Sequence, residues 1–269
     1  KGIMILSDKY KVGSDIKKYF NINEDIIFDV DLTPNRGDCL SHIGIARELS
    51  SKYNMKIINY KSLNTLASLT KKNLSKKLKV NIMNADQCLR YMGVLIENVK
   101  VASSPDWLVL KLQSLGLKSI NNIVDITNYI MFDLGHPLHA FDYSKINGKV
   151  INIRYAKDKE SITLLDNQTY KLSKNHLMIA DSKNTIALAG IMGGSNSEID
   201  SETKNIFIES AYFNSITIRK GAKVLGLSTE ASKRFERDTD VECVENALVQ
   251  CIDMIKKILP NSSVKEVVD

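Results

Sequence analysis

The sequence predicts a soluble α+β fold in which a run of short strands is flanked by capped helices. Three observations lead there. Residues 149–209 hold a succession of short apolar, β-like segments separated by polar turns. Helix start and stop signals stand on both sides of that run. The chain is 43% apolar and 25% charged, enough to build a core, and its longest apolar runs are strand-sized, so no membrane span is expected.

Taken in order, the opening K-G-I-M-I-L-S is a bare apolar strand pattern without an initiator methionine and reads as the interior of a longer fold. A T-P-N-R-G-D turn, Thr33 to Asp38, then leads into a helix with Asp38 as cap and Leu40, Ile43, Ala46, Leu49 and Tyr53 on one face. No acid occurs between Glu48 and Asp86, while Lys52, Lys56, Lys61, Lys71, Lys72, Lys76, Lys77 and Lys79 accumulate. That stretch reads as a solvated connection, with a polyanion partner as the alternative.

Leu78 to Met83 and Tyr91 to Ile96 carry strand patterns, and Ser104-Pro105-Asp106, read as cap, first-position proline and first-turn acid, opens a helix that Gly116 closes. Ile123, Ile126, Ile130 and Leu134 recur at helical spacing up to Gly135, and Pro137 then places His136 to His139 in a turn. Strand-like runs follow at 149–155, 161–165, 177–180, 186–191 and 205–209. The last strong element runs from Asp240 as cap to Leu259, with Glu242 and Glu245 early, Lys256 and Lys257 late, and Pro260 as stop.

The net charge of +6 is moderate, and the four cysteines contain no C-x-x-C pair. Neither a zinc ribbon nor a disulfide framework is indicated, and with no signal pattern a reducing cytoplasm fits best.

Chemistry concentrates in four segments. Val124 to Asp142 gathers Asn128, His136 and His139; its bland reading is that Asn128 and His139 tie the turn to the helix end. Ala189 to Gly194, A-G-I-M-G-G, crowds three glycines at the end of a β-like run, which marks a hairpin bulge or a close approach. Glu209 interrupts an apolar strand and, if it faces inward with Phe207, either accepts from a ligand hydroxyl or caps a loop. Leu227 to Arg237 ends in Lys233, Arg234 and Arg237, cations able to take phosphates. A serine hydrolase is disfavoured by the lack of a G-x-S-x-G elbow, and a metal on His136 and His139 by the proline between them.

Together these segments closely resemble the bacterial phenylalanyl-tRNA synthetase beta subunit. The resemblance rests on T-P-N-R-G-D-C-L-S-H-I-G-I-A-R-E at 33–48, V-D-I-T-N-Y-I-M-F-D-L-G-H-P-L-H-A-F-D at 124–142, A-L-A-G-I-M-G-G at 187–194 and S-T-E-A-S-K-R-F-E-R at 228–237. It implies the tail of an inserted OB-type domain at 1–25, the returning half of a first domain at 26–60, a lysine-rich connection at 61–77 and an editing domain at 78–260. That domain is expected to be a layered α/β structure containing a β-sandwich of unusual topology.

The implied activity is hydrolysis of tyrosine wrongly esterified to tRNA(Phe). By the same resemblance Glu209 meets the tyrosine hydroxyl, Gly193, Thr229 and Ala231 line the pocket, and His139 with Asn128 stands near the ester and attacking water. His136 occupies a place often taken by glutamine, and Met192 one that is often aromatic. The segment itself is expected to need no cofactor or metal. The intact ligase is implied to use ATP and Mg2+, with charging on an alpha subunit in an alpha2-beta2 assembly, so this segment alone is not expected to charge tRNA. The alternative is a tRNA-docking scaffold with a degenerate pocket.

Overall fold

The computed structural model describes residues 5–9, 11–19, 26–58, 66 and 77–269. It divides into two compact units, Lys1–Asp31 and Leu32–Asp269. Among its described residues the first contains a helical turn, Ile16–Tyr19. Most of the lysine-rich connection, 61–77, lies outside the described residues.

The second unit is a mixed α+β structure built in layers. Strands β1 (Lys79–Ile82), β4 (Val150–Tyr155), β7 (Leu177–Ala180), β8 (Thr185–Leu188) and β9 (Met192–Gly193) form one sheet in the order β1-β4-β7-β8-β9. A second sheet has the order β11-β2-β10-β3, with β2 at Arg90–Glu97, β3 at Leu138–Asp142, β10 at Asn205–Tyr212 and β11 at Ser263–Val268. The strands β5 (Ser161–Thr163) and β6 (Thr169–Lys171) make a separate hairpin.

One core joins the two sheets, with Ile151, Ile153 and Met178 from the first meeting Phe141 and Phe207 from the second. The second sheet's other face, carrying Met92, Val94, Ile206 and Ile208, packs on Ile126, Leu248 and Ile252 of helices. The four-stranded sheet is therefore a middle layer, covered on both faces. That explains why β2 and β10 are near-continuous apolar runs and why six successive residues of each are buried.

Among the described residues this unit carries the helices α1 (His42–Tyr53), α2 (Asp106–Ser114), α3 (Asn122–Leu134), α4 (Ser215–Leu225), α5 (Glu230–Phe235) and α6 (Cys243–Ile258). Several expected boundaries move for local reasons. Ser41, rather than Asp38, caps α1 by accepting from the Gly44 amide, because Gly37–Cys39 first forms a tight 3-10 turn. Leu49 and Tyr53 of the expected apolar face are exposed. Ser104 does not cap α2; its hydroxyl donates to the buried Asp125 carboxylate. At α6, Glu242 holds the cap position and Asp240 accepts from its amide.

Candidate functional site

Asn121 starts α3 by accepting from the amides of Ile123 and Val124, and Gly135 ends it at φ 77°. The chain then passes Pro137 into β3, so His139 lies on a strand and not in the expected turn: pairing with β10 satisfies its backbone. In that antiparallel register His139 stands directly across from Glu209. Strand alternation turns both toward the first sheet, together with Phe141 and Phe207.

The His139 ring stands edge-on to Phe141, with centroids 4.5 Å apart and planes 80° apart. Its Nε2 is sealed from solvent and has no hydrogen-bond partner among the described residues. Desolvation lowers its pKa to about 4, so the imidazole is neutral at pH 7.

Glu209 is 6% exposed. Its Oε2 accepts from the Tyr91 hydroxyl at 2.7 Å, while Oε1 has no partner among the described residues. Burial raises its pKa to about 7 and the Tyr91 bond works the other way, so near neutrality both protonation states are populated.

The glycine segment forms the β8–β9 hairpin, turning at Gly190 with φ 66°. Its function is close approach: a Cβ on Gly193 would lie 2.4 Å from His139 Cε1. The opposing wall comes from α5. Thr229 caps that helix by accepting from the Ser232 amide at 3.0 Å, and its hydroxyl donates to the Ile191 carbonyl at 2.8 Å.

A cavity of about 70 Å3 results, lined by Glu209, His139, Gly193, Ala231, Met192 and Phe235 among others. Four sequence candidates, Glu209, His139, Gly193 and Ala231, thus meet around one space. Thr229 is not among its lining residues, and its hydroxyl is engaged at the helix cap and at Ile191. Asn128 sits within α3, half-buried and one turn before Phe132, and is also not a lining residue.

The expected phosphate-binding cations separate. Lys233 is exposed and paired with Glu230 at 2.8 Å, and Arg237 is half-buried. Arg234 is not available for phosphate: it is buried, donates to the Leu40 and Glu230 carbonyls, pairs with the Glu230 carboxylate and stacks over the Phe132 ring.

His136 lines a different cavity, of about 410 Å3, with Arg47, Asp238 and Asp240. Both of its ring nitrogens are sealed without a partner, and burial lowers its pKa to about 4. The two histidines therefore face separate spaces. Tyr91 is the participant that sequence reasoning missed. A phenol inside an apolar central strand needs a buried acceptor, and Glu209 is a buried carboxylate needing a donor, so pairing the two was the available signal.

Residues 87–260 match the family described as the B3/4 domain. The chain belongs to the B3/4 domain family. The whole chain is also 45% identical to a stretch of the phenylalanine–tRNA ligase beta subunit of Fusobacterium nucleatum, covering 33% of that protein. Over 94% of the chain it is 44% identical to 31% of the corresponding subunit of Carboxydothermus hydrogenoformans. It thus spans about a third of the length of these curated relatives, in agreement with the resemblance carried by the four motifs. A solved N-terminal fragment of the phenylalanyl-tRNA synthetase beta subunit from Pyrococcus horikoshii covers 74% of the chain and 59% of its own length, at 16% identity and a TM-score of 0.42. In this B3/4 domain no helix among the described residues is long and apolar enough to cross a membrane.

Proposed function

We propose that this B3/4 domain hydrolyses the ester of tyrosine mischarged onto tRNA(Phe), acting within a ligase beta subunit that assembles with an alpha subunit. The observation that carries the reading is the open acceptor of buried Glu209 beside side-chain-free Gly193. Tyrosine and phenylalanine differ by one hydroxyl, which an apolar charging pocket rejects by only about a hundredfold. A second pocket that binds the phenol inverts the problem, since phenylalanine leaves Glu209 Oε1 unpaired. ATP and Mg2+ serve charging, which this segment is not proposed to perform.

The aminoacyl ester is already activated, so catalysis needs mainly a placed water and polarisation of the carbonyl. Neutral His139 suits orienting a water better than carrying a full proton, once entry of the substrate uncovers its sealed and unpartnered Nε2. The cavity's volume of about 70 Å3 has room for a few water molecules and is too small for an aromatic ring at rest. Admission of the ring requires displacement of adaptable Met192 on the cavity wall.

The cross-strand adjacency of His139 and Glu209 favours a second reading, in which His139 is another partner of the phenol and water attacks at the cavity mouth. The deciding experiment compares deacylation of tyrosyl- and phenylalanyl-tRNA(Phe) by the intact enzyme. Glu209→Ala and Gly193→Trp are expected to let tyrosyl-tRNA accumulate; unchanged deacylation in both would leave only a docking scaffold. His139→Ala slows both esters if it serves the water, and only the tyrosyl ester if it serves the phenol.

A further inference from the structure

We propose that Tyr91 is a positioning residue of the tyrosine-selective pocket: its hydroxyl holds Glu209 Oε2 and leaves Oε1 as the acceptor for a substrate phenol. This rests on the editing reading. Tyr91 lies on β2 opposite Ala211, while Glu209 stands opposite Gly93, so the phenol reaches its partner along the cross-strand diagonal. Both side chains are buried, and their hydrogen bond is 2.7 Å long. The bond fixes the rotation of the carboxylate and occupies Oε2, which leaves Oε1, without a partner among the described residues, as the freer acceptor on a side chain that lines the cavity.

The surroundings make this bond decisive. The groups facing Glu209 are the Tyr91 hydroxyl, the Cys88 thiol, itself pushed up to about 12 by burial and by Glu209's charge, and neutral His139. The β8–β9 hairpin and α5 present Met192, Gly193, Ala231 and Phe235, which carry no charge. Tyr91 is therefore the donor that favours the ionised carboxylate. Without it Glu209 keeps its proton to higher pH, and a protonated carboxyl offers the substrate hydroxyl a rotating donor–acceptor pair instead of a fixed acceptor.

The experiment uses the full-length subunit in its synthetase assembly and reads deacylation of tyrosyl-tRNA(Phe) against pH. Tyr91→Phe is expected to lower kcat/KM at pH 7 by about tenfold, mainly through KM, and to move the pH midpoint up by about one unit, so that activity recovers in alkali. Site-specific 3-fluorotyrosine at position 91, a stronger donor of nearly the same shape, is expected to move the midpoint down. If Glu209→Ala abolishes editing while neither change at Tyr91 moves the midpoint, the role of Tyr91 is overturned and the editing reading stands. If Glu209→Ala leaves editing intact, the reading itself fails, and this inference fails with it.

Discussion

The Nε2 edge of the His139 ring occupies the space where a side chain on Gly193 would begin. A Cβ at Gly193 would lie 2.6 Å from Nε2 and 2.4 Å from Cε1, and 3.2 Å from Leu165 Cδ1. The ring cannot retreat freely, because Phe141 packs against it edge-on. Gly193→Ala is therefore expected to rotate His139 off its position and to cost about 1–3 kcal/mol of overpacking strain. Urea unfolding measures the cost, and deacylation of tyrosyl-tRNA(Phe) is expected to fall by at least tenfold. Wild-type rates with wild-type stability would contradict the close packing.

Buried ionisable groups set a pH dependence in which Glu209 opposes the two histidines. His136 and His139 fall from 6.5 to about 4 on folding, so between those values the unfolded chain binds more protons and their contribution is lost as pH falls. Glu209 rises from 4.5 to about 7, so the folded chain holds the extra proton and this contribution is lost as pH rises. Near pH 5.5 these three groups leave a net uptake on unfolding of about one proton, making stability rise by roughly 1.4 kcal/mol per pH unit. Glu209→Gln removes the opposing group, and the slope is expected to about double. Chemical denaturation from pH 5 to 6.5 checks this, and equal slopes would contradict the assignment.

Arg234 is a structural cation. It ties α5 to Leu40, in the turn before α1, and its charge is met by Glu230. Arg234→Ala strands the Leu40 carbonyl and uncovers Phe132, with an expected loss of about 3 kcal/mol in unfolding free energy. Its effect on tRNA affinity is expected to vanish once folding is corrected for. Charge removal at exposed Lys233 is expected to leave stability within about 0.5 kcal/mol. A filter-binding salt series separates the two, since loss of a phosphate contact lowers the salt slope.

Much of the layered fold was legible, because a strand buried on both faces must be largely apolar, and β2 and β10 are, with Glu209 and Ser210 as the polar exceptions inside β10. Register was not, and with it the pairing of His139 with Glu209, since no local pattern records which strand lies beside which. The helix α4 escaped because Ile216, Thr217 and Ile218 favour strands and Gly221 weakens a helix interior; capping by Asn214 and packing of Ile218 and Ala222 prevail. Strand β11 follows the Pro260 stop as a short alternating run, and only its neighbour β2 makes it an edge strand. Arg234 and Lys233 look alike as letters, and burial alone divides them.

Thr229 presents the same ambiguity between ligand contact and scaffold, and its hydrogen bonds resolve it. The hydroxyl donates its single proton to Ile191 and accepts from the Ser232 amide, while Ser232 reaches back to the Thr229 amide. One side chain thus fixes both the start of α5 and the glycine hairpin two residues before Gly193. Thr229→Val keeps the shape but loses donor and acceptor together, with an expected cost of about 1–2 kcal/mol from the cap and a further loss from the unpaired Ile191 carbonyl. Editing is expected to weaken through KM, because the wall carrying Ala231 and Phe235 loosens while Glu209 and His139 remain in place. Thr229→Ser restores both bonds and is expected to restore stability and editing together. If Thr229→Val lost editing with its unfolding free energy unchanged, the hydroxyl would have to act on the substrate directly and the scaffold assignment would fall.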